Sequence, residues 1–222
     1  MTAKILEPPS DGQALIRTAA FRLLLAQDDA VSVGELVSAT GIKREKVAEH
    51  LEELDRAGRI RRDRAGHVVG SAGLSVTNDR HEIELDGRRF WTWCGYDIFG
   101  IFGALEASGR ALSPSPEGRM MELRFERGRP VNGDAVLFRP DDELMSCCEN
   151  VYEEWCPNSN LFSDAEKARK WAGERGIQGR VLTLTEASKL GAKEWADVVS
   201  ASHYVHRRSI SEERANEPSV PT

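Results

Sequence analysis

The chain has 222 residues, 40% of them apolar and 30% charged, with a formal net charge of −6. That length fits one large domain or two small ones. The composition is that of a globular protein, no apolar run is long enough to span a bilayer, and the acidic balance gives no overall attraction to DNA or anionic membranes. The first ten residues lack the basic start and apolar stretch of an export signal, so the cytoplasm is the expected compartment. Four cysteines, Cys94, Cys147, Cys148 and Cys156, are too few and too clustered for a secreted disulfide scaffold.

Residues 1–12 are polar, include Pro8, Pro9 and Gly12, and read as a loose arm. Over 13–27, Leu15, Ile16, Ala19, Ala20, Leu23 and Leu24 recur at helical spacing. A short helix over 33–39 follows, with Ser32 as its N-cap, before Thr40 and Gly41 break the pattern. A third helix over 42–57 places Val47, Leu51 and Leu54 on one face and ends at Gly58. Strand-like runs at 59–62 and 67–69 complete the order of a winged helix-turn-helix. Alternating strands are expected at 74–76 and 81–85, with Asp86 and Gly87 as a hairpin turn. Residues 88–93 lead into Cys94, and the apolar, aromatic run 96–107 reads as a buried helix. Further strands are expected at 121–127, 135–139 and 181–184. Helices are expected at 164–174, capped by Ser163, and over 185–195. Beyond His206 the Ser-, Glu-, Arg- and Pro-rich chain reads as a disordered tail. The expected fold class is α+β: a winged-helix-like domain over 13–72, then an α+β catalytic core over 73–205 with a mainly antiparallel sheet.

Three constellations carry chemistry. In Trp93-Cys94-Gly95-Tyr96-Asp97, a helix starting near Cys94 puts the thiol and the Asp97 carboxyl on one face. A helix start eases thiol ionisation. Burial among Trp91, Trp93 and Phe99 would instead protonate Asp97 and make it an available acid. A buried structural cysteine beside a capping aspartate meets the same spacing. Next, Cys147, Cys148 and Cys156 put three thiols within ten residues, which suits a soft metal but is not the paired spacing of structural zinc sites. His67, His81, His203 and His206 are remote in sequence, and Cys147 and Cys148 read equally well as incidental loop thiols. Finally, residues 43–64 hold eight basic and six acidic side chains, including Lys43, Arg44, Lys46, Arg59, Arg61, Arg62 and Arg64. A surplus of two is thin for a reader of DNA, so this unit reads as structure.

The stretch from Gly70 to Asp97 resembles the organomercurial (alkylmercury) lyases. Their glycine–leucine–threonine strand, aspartate-arginine-arginine turn and Trp-Cys-x-x-Asp have matches in Gly73-Leu74-Ser75-Val76-Thr77, Asp86-Gly87-Arg88-Arg89 and Trp93-Cys94-Gly95-Tyr96-Asp97. The resemblance covers about residues 13–200. It places the first catalytic cysteine on Cys94 and the catalytic aspartate on Asp97. Of three cysteines competing for the second catalytic place, Cys156 fits best, since Val151-Tyr152-Glu153-Glu154-Trp155 resembles the family's lead-in and Leu161, Phe162 and Trp171 follow at suitable spacing. The chain departs from the pattern at Pro157-Asn158-Ser159-Asn160, in the extra Cys147-Cys148 pair, and in lacking a cysteine between 95 and 146.

The resemblance implies protonolytic cleavage of a carbon–mercury bond, with Cys94, Cys156 and Asp97 as catalytic groups and mercury ligands. Hg(II) would remain on the two cysteines, small thiols or a mercuric reductase would accept it, and no organic cofactor is expected. The rivals are a soft-metal binding protein of the same fold, a same-fold lyase acting on another carbon–heteroatom bond, and a metal-responsive regulator.

Overall fold

The computed structural model describes residues 11–200. Most of the expected arm, and all of the expected tail, lie outside these residues. Helix α1 (Asp11–Gln27) starts two residues earlier than its apolar pattern announced and buries Ile16, Ala20, Phe21 and Leu24. Helix α2 (Val33–Thr40) begins at a capping box: Glu35 N–H donates to Ser32 Oγ, and the Glu35 carboxylate accepts from Ser32 N–H at 2.7 Å. It stops at Gly41, in the left-handed region with φ 70°. Helix α3 (Arg44–Arg56) turns Val47, Leu51 and Leu54 inward. The hairpin of β1 (Ile60–Arg62) and β2 (Val68–Ser71) follows.

Strands β3 (Leu74–Ser75), β4 (His81–Leu85) and β5 (Arg88–Thr92) extend the same sheet. The β4–β5 turn has Asp86 at φ 48° and Gly87 at φ 83°, the double positive φ of a type I′ hairpin turn. Helix α4 (Gly95–Leu105) is the apolar centre, with every residue from Gly95 to Phe102 buried. After it come β6 (Gly109–Pro114), β7 (Met120–Glu126) and β8 (Arg129–Pro130). Among the described residues these eight strands form one antiparallel sheet in the order β1-β2-β3-β5-β4-β6-β7-β8. A second antiparallel sheet has β9 (Val136–Pro140) between β10 (Asn160–Phe162) and β11 (Gly179–Thr183). Phe138 and Phe162 of this sheet pack on Ala168, Trp171 and Ala172 of α6 (Ala165–Glu174).

Two short elements between β9 and β10 were not read from the sequence. Helix α5 (Asp142–Cys147) precedes a π-helical turn over Val151–Trp155, which passes into a 3₁₀ turn over Cys156–Asn158. The cap of α6 also differs from expectation. Lys167 N–H donates to the Asp164 carboxylate at 2.9 Å, so Asp164 is the N-cap. Ser163 is drawn away by Glu117, which accepts from both its N–H and its hydroxyl.

The last helix, α7 (Leu184–Ser200), lies against α4. Small residues allow the approach: a Cβ at Gly191 would stand 2.7 Å from the Gly100 backbone nitrogen, and one at Gly100 would collide with the Trp195 ring. Trp195 in turn donates from Nε1 to the Ala72 carbonyl at 2.8 Å, tying α7 to the β2–β3 turn. Gly191→Val should therefore lower the free energy of unfolding by about 2 kcal/mol or more, because backbone rather than a flexible side chain blocks the added methyl groups. The urea midpoint checks this, and an unchanged or higher midpoint would contradict the packing.

Candidate active site

Cys94 is the N-cap residue of α4, with extended backbone at φ −146° and ψ 169°. A helix leaves its first N–H groups without helical partners, and the three at this end are satisfied in three ways. Gly95 N–H donates to the Ser159 carbonyl at 2.9 Å. Tyr96 N–H donates to Ser159 Oγ at 3.2 Å. Asp97 N–H faces the Cys94 sulfur, while the Asp97 carboxylate accepts from Cys94 N–H at 2.8 Å, completing a reciprocal capping box. The Pro157–Asn160 segment, where the chain departs from the family pattern, thus holds the start of the helix that carries Cys94.

The same tie brings in Cys156, three residues before Ser159 and bonded to it through Ser159 N–H and the Cys156 carbonyl at 3.2 Å. The sulfurs of Cys94 and Cys156 and an Asp97 carboxylate oxygen all lie within 4.8 Å of one another, and all three residues are buried. The structure thereby brings together the three residues singled out from the sequence. All four cysteines are free thiols. Cys147 and Cys148 are not in the cluster; they end α5, one exposed and one half-buried, with their sulfurs turned to the Leu144 and Met145 carbonyls. His81 also stays apart, bonded to Ser113 at 2.7 Å and held neutral by burial.

Burial controls the protonation states. It pushes the Asp97 carboxyl up to about 7, against the hydrogen bonds from Cys94 that favour the charged form. The Cys94 thiol is raised chiefly by burial, although it caps a helix, so the expected ease of ionisation is overridden. Cys156 is raised well above the usual thiol range, first by its hydrogen bond to Cys94 and then by burial. Near neutrality the site holds two protonated thiols beside a carboxyl poised between its acid and base forms, the condition for proton transfer in both directions.

Sequence reasoning missed most of the groups that frame this trio, though not Trp93 and Tyr96. Tyr152, in the π-helical turn, lies between two arginines, with Arg61 at 4.3 Å and Arg80 at 4.5 Å from its ring centre. Arg80 also donates to the Trp93 and Tyr152 carbonyls at 2.8 and 3.2 Å. Buried Asp79 accepts from Arg61 at 2.5 Å and from the Tyr152 hydroxyl at 3.2 Å. Asn150 Nδ2 and Val151 N–H donate to the Arg56 and Ala57 carbonyls, docking the turn on the end of α3. Arg139 is buried, bonded to Asp142 and Glu194, and stacked near Tyr96 and Trp155. A pocket of about 110 Å³ opens beside Asp97 and Cys156, walled by Trp93, Tyr96, Trp155 and Trp195. Phe99 and Phe102 instead pack on Phe125, as core.

Gly73 shows how tightly the carboxyl is enclosed. It has φ 85°, and a Cβ there would collide with the Asp97 carboxyl.

Two buried thiols and a carboxyl with their ligand atoms within 4.8 Å of one another form a cluster that could hold a soft metal ion. The alkylmercury lyase family model matches residues 74–196. An alkylmercury lyase of Staphylococcus epidermidis is 27% identical over 198 residues, covering 86% of this chain and 88% of that one. One of Bacillus cereus is 28% identical over 177 residues, covering 76% of this chain and 75% of its own length. A crystal structure of the mercury-bound form of MerB2 superposes with a TM-score of 0.75 at 24% identity, covering 87% of this chain and 93% of the other, and it shares the fold. The chain belongs to the alkylmercury lyase family, and it is an enzyme of that kind, a carbon–mercury lyase.

The raised Asp97 pKa carries a stability cost whose sign is fixed. The folded protein holds this proton more tightly than the unfolded chain does. Its contribution is therefore complete below the ordinary value of 3.8 and is lost as pH rises to about 7. Each pKa unit is about 1.4 kcal/mol, so the loss approaches about 4 kcal/mol above pH 7. Asp97→Asn should accordingly be more stable than the unaltered protein at pH 8, by about 2–4 kcal/mol, and show little difference at pH 4. Denaturant unfolding at the two pH values measures this, and a less stable Asn variant at pH 8 would refute it.

Proposed function

We propose that the protein cleaves the carbon–mercury bond of an organomercurial by protonolysis, with Cys94, Cys156 and Asp97 as the reacting groups. The observation carrying this reading is the buried cluster of two thiols and one carboxyl whose ligand atoms lie within 4.8 Å. Mercury prefers sulfur to oxygen or nitrogen ligands. The substrate arrives with mercury bonded to carbon and to a carrier thiolate. Cys94 attacks mercury and displaces the carrier, which leaves with the Cys94 proton as a free thiol. Cys156 then adds through sulfur and passes its proton to Asp97. Two sulfur donors weaken the mercury–carbon bond, whose electron pair stays on carbon and takes the proton from Asp97. A hydrocarbon leaves, and Hg(II) remains on the two cysteine sulfurs.

These three side chains supply every group the reaction needs, so the reading requires no organic cofactor. A small thiol or a mercuric reductase would remove Hg(II) by thiolate exchange. Free thiols fit a reducing cytoplasm, and no helix among the described residues is long and apolar enough to cross a membrane. The order of α1–α3 and the β1–β2 hairpin supports reading residues 13–72 as a winged-helix-like unit, followed by a catalytic unit over 73–205. In the winged-helix-like unit Arg61 and Arg62 pair with Asp79 and Asp55, which disfavours a nucleic-acid-binding role for these side chains.

Reduced protein mixed with phenylmercury and excess small thiol should release benzene catalytically, as followed by gas chromatography. Cys94→Ser and Cys156→Ser should each abolish release, while Asp97→Asn should bind mercury without releasing hydrocarbon. Full activity in any of the three would end this assignment of roles. In the unaltered protein, kcat/KM should climb with pH through about 7, as Asp97 ionises and can accept a thiol proton. A flat profile between pH 6 and 8 would contradict that role.

A further inference from the structure

The pocket beside Cys156 and Asp97 combines an apolar, aromatic lining with charged side chains. Its wall includes Arg17 from α1 and Arg59 from the turn after α3. Among the described residues no carboxylate pairs with either one. Arg17 Nε is shielded from solvent without an acceptor, and so are the indole N–H groups of Trp93 and Trp155 and the Nε of Arg139. All four belong to residues lining this one pocket. Glu194, also in its wall, is already engaged by Arg139, as is Asp142. Buried donors normally have partners, and leaving them bare costs stability.

The Arg59 charge also disfavours that of Arg17. Burial, then the neighbouring Arg59 charge, lowers Arg17 to about 10, and burial lowers Arg59. Both still carry their charge at neutral pH. Two unneutralised cations in one wall, in a chain of net charge −6, form a site that an anion with several acceptor oxygens would complete.

We propose that this pocket recognises a carboxylate borne by one of the two ligands of mercury, with Arg17 and Arg59 as the specificity-determining residues. The inference rests on the lyase reading, because the pocket adjoins Cys156 and Asp97 and its occupant must reach them. The carboxylate has two sources, the organic group or the carrier thiol. Either way, the N-terminal helical unit supplies substrate recognition to a reaction performed by the second half of the chain.

The experiment compares kcat/KM for 4-carboxyphenylmercury and phenylmercury in 2-mercaptoethanol, then for phenylmercury in mercaptoacetate and in 2-mercaptoethanol. In the unaltered protein, at least one of the two preferences for the carboxylate should be about tenfold or greater, the scale of a charge-assisted contact. A preference in the first pair places the acid on the organic group, and one in the second places it on the thiol. Arg17→Gln and Arg59→Gln should each reduce that preference toward one, and Arg59→Lys should restore part of it. Turnover of phenylmercury in neutral thiol reports whether each variant is folded. Should a Gln variant not fold, the preference in the unaltered protein and the weaker preference in Arg59→Lys decide the matter. No preference in the unaltered protein, or one that persists in both Gln variants, overturns the proposal. If the unaltered protein releases no benzene from phenylmercury in neutral thiol, the lyase reading has failed instead. Calorimetric titration with benzoate then decides the arginine site alone: binding lost in Arg59→Gln sustains it, and no binding ends it.

Discussion

The bare N–H groups at the start of α4 are the constraint on which the site depends. They need acceptors in a place that water does not reach, and Ser159, Cys94 and Asp97 provide them. Because Ser159 belongs to the turn that carries Cys156, satisfying the helix also brings together two cysteines more than sixty residues apart in the chain. Helix capping and assembly of the buried thiol cluster are one event here. The π-helical turn before Cys156 is held by its own contacts, with Tyr152 between Arg61 and Arg80 and Asn150 on the end of α3. Such turns recur at functional sites because they aim a side chain that a regular helix would misdirect.

Magnitudes decide how the trio is charged. A helix N-terminus favours a nearby anion by about 0.3–1 kcal/mol, up to roughly 2 in partly buried settings. Enclosing Asp97 moves its carboxyl from 3.8 to about 7, a burial effect of about 4 kcal/mol. Burial therefore prevails, and the thiols and the acid hold protons that the helix alone would help release. The enclosed carboxyl is kept at the expense of stability, and it titrates near neutrality. The enclosure itself comes from close packing, with Gly73 against Asp97 and Gly100 and Gly191 letting α7 close over α4.

The N-terminal helices are more than a support. The β1–β2 hairpin shares its sheet with the strands leading to Cys94, and one hydrophobic core runs from α1 to α7. Through Arg61 this unit orders the turn before Cys156, and through Arg17 and Arg59 it provides part of the pocket wall. The basic side chains that resemble a nucleic-acid surface when read along the chain are in part turned inward by the fold.

Local features were legible in the sequence because local physics sets them. The Ser32 capping box, the Asp86-Gly87 turn, the apolar faces of α1 and α3 and the buried character of α4 follow from residue type and spacing within a few positions. Cys94 and Asp97 belong to this class, being the cap and third residue of one helix. Cys156 was reached by resemblance, since nothing in its own spacing separates it from Cys147 and Cys148. Tertiary structure alone decided that Ser159 would join the two thiols, that Glu117 would take Ser163 away from the α6 cap, and that Arg17 and Arg59 would face the same pocket as Cys156. Each brings together residues dozens of positions apart, and the first two arise because a buried polar group takes a partner wherever the fold supplies one. Burial has the same origin, for it raised Asp97 and the thiols through neighbours that are adjacent in space and distant in the chain.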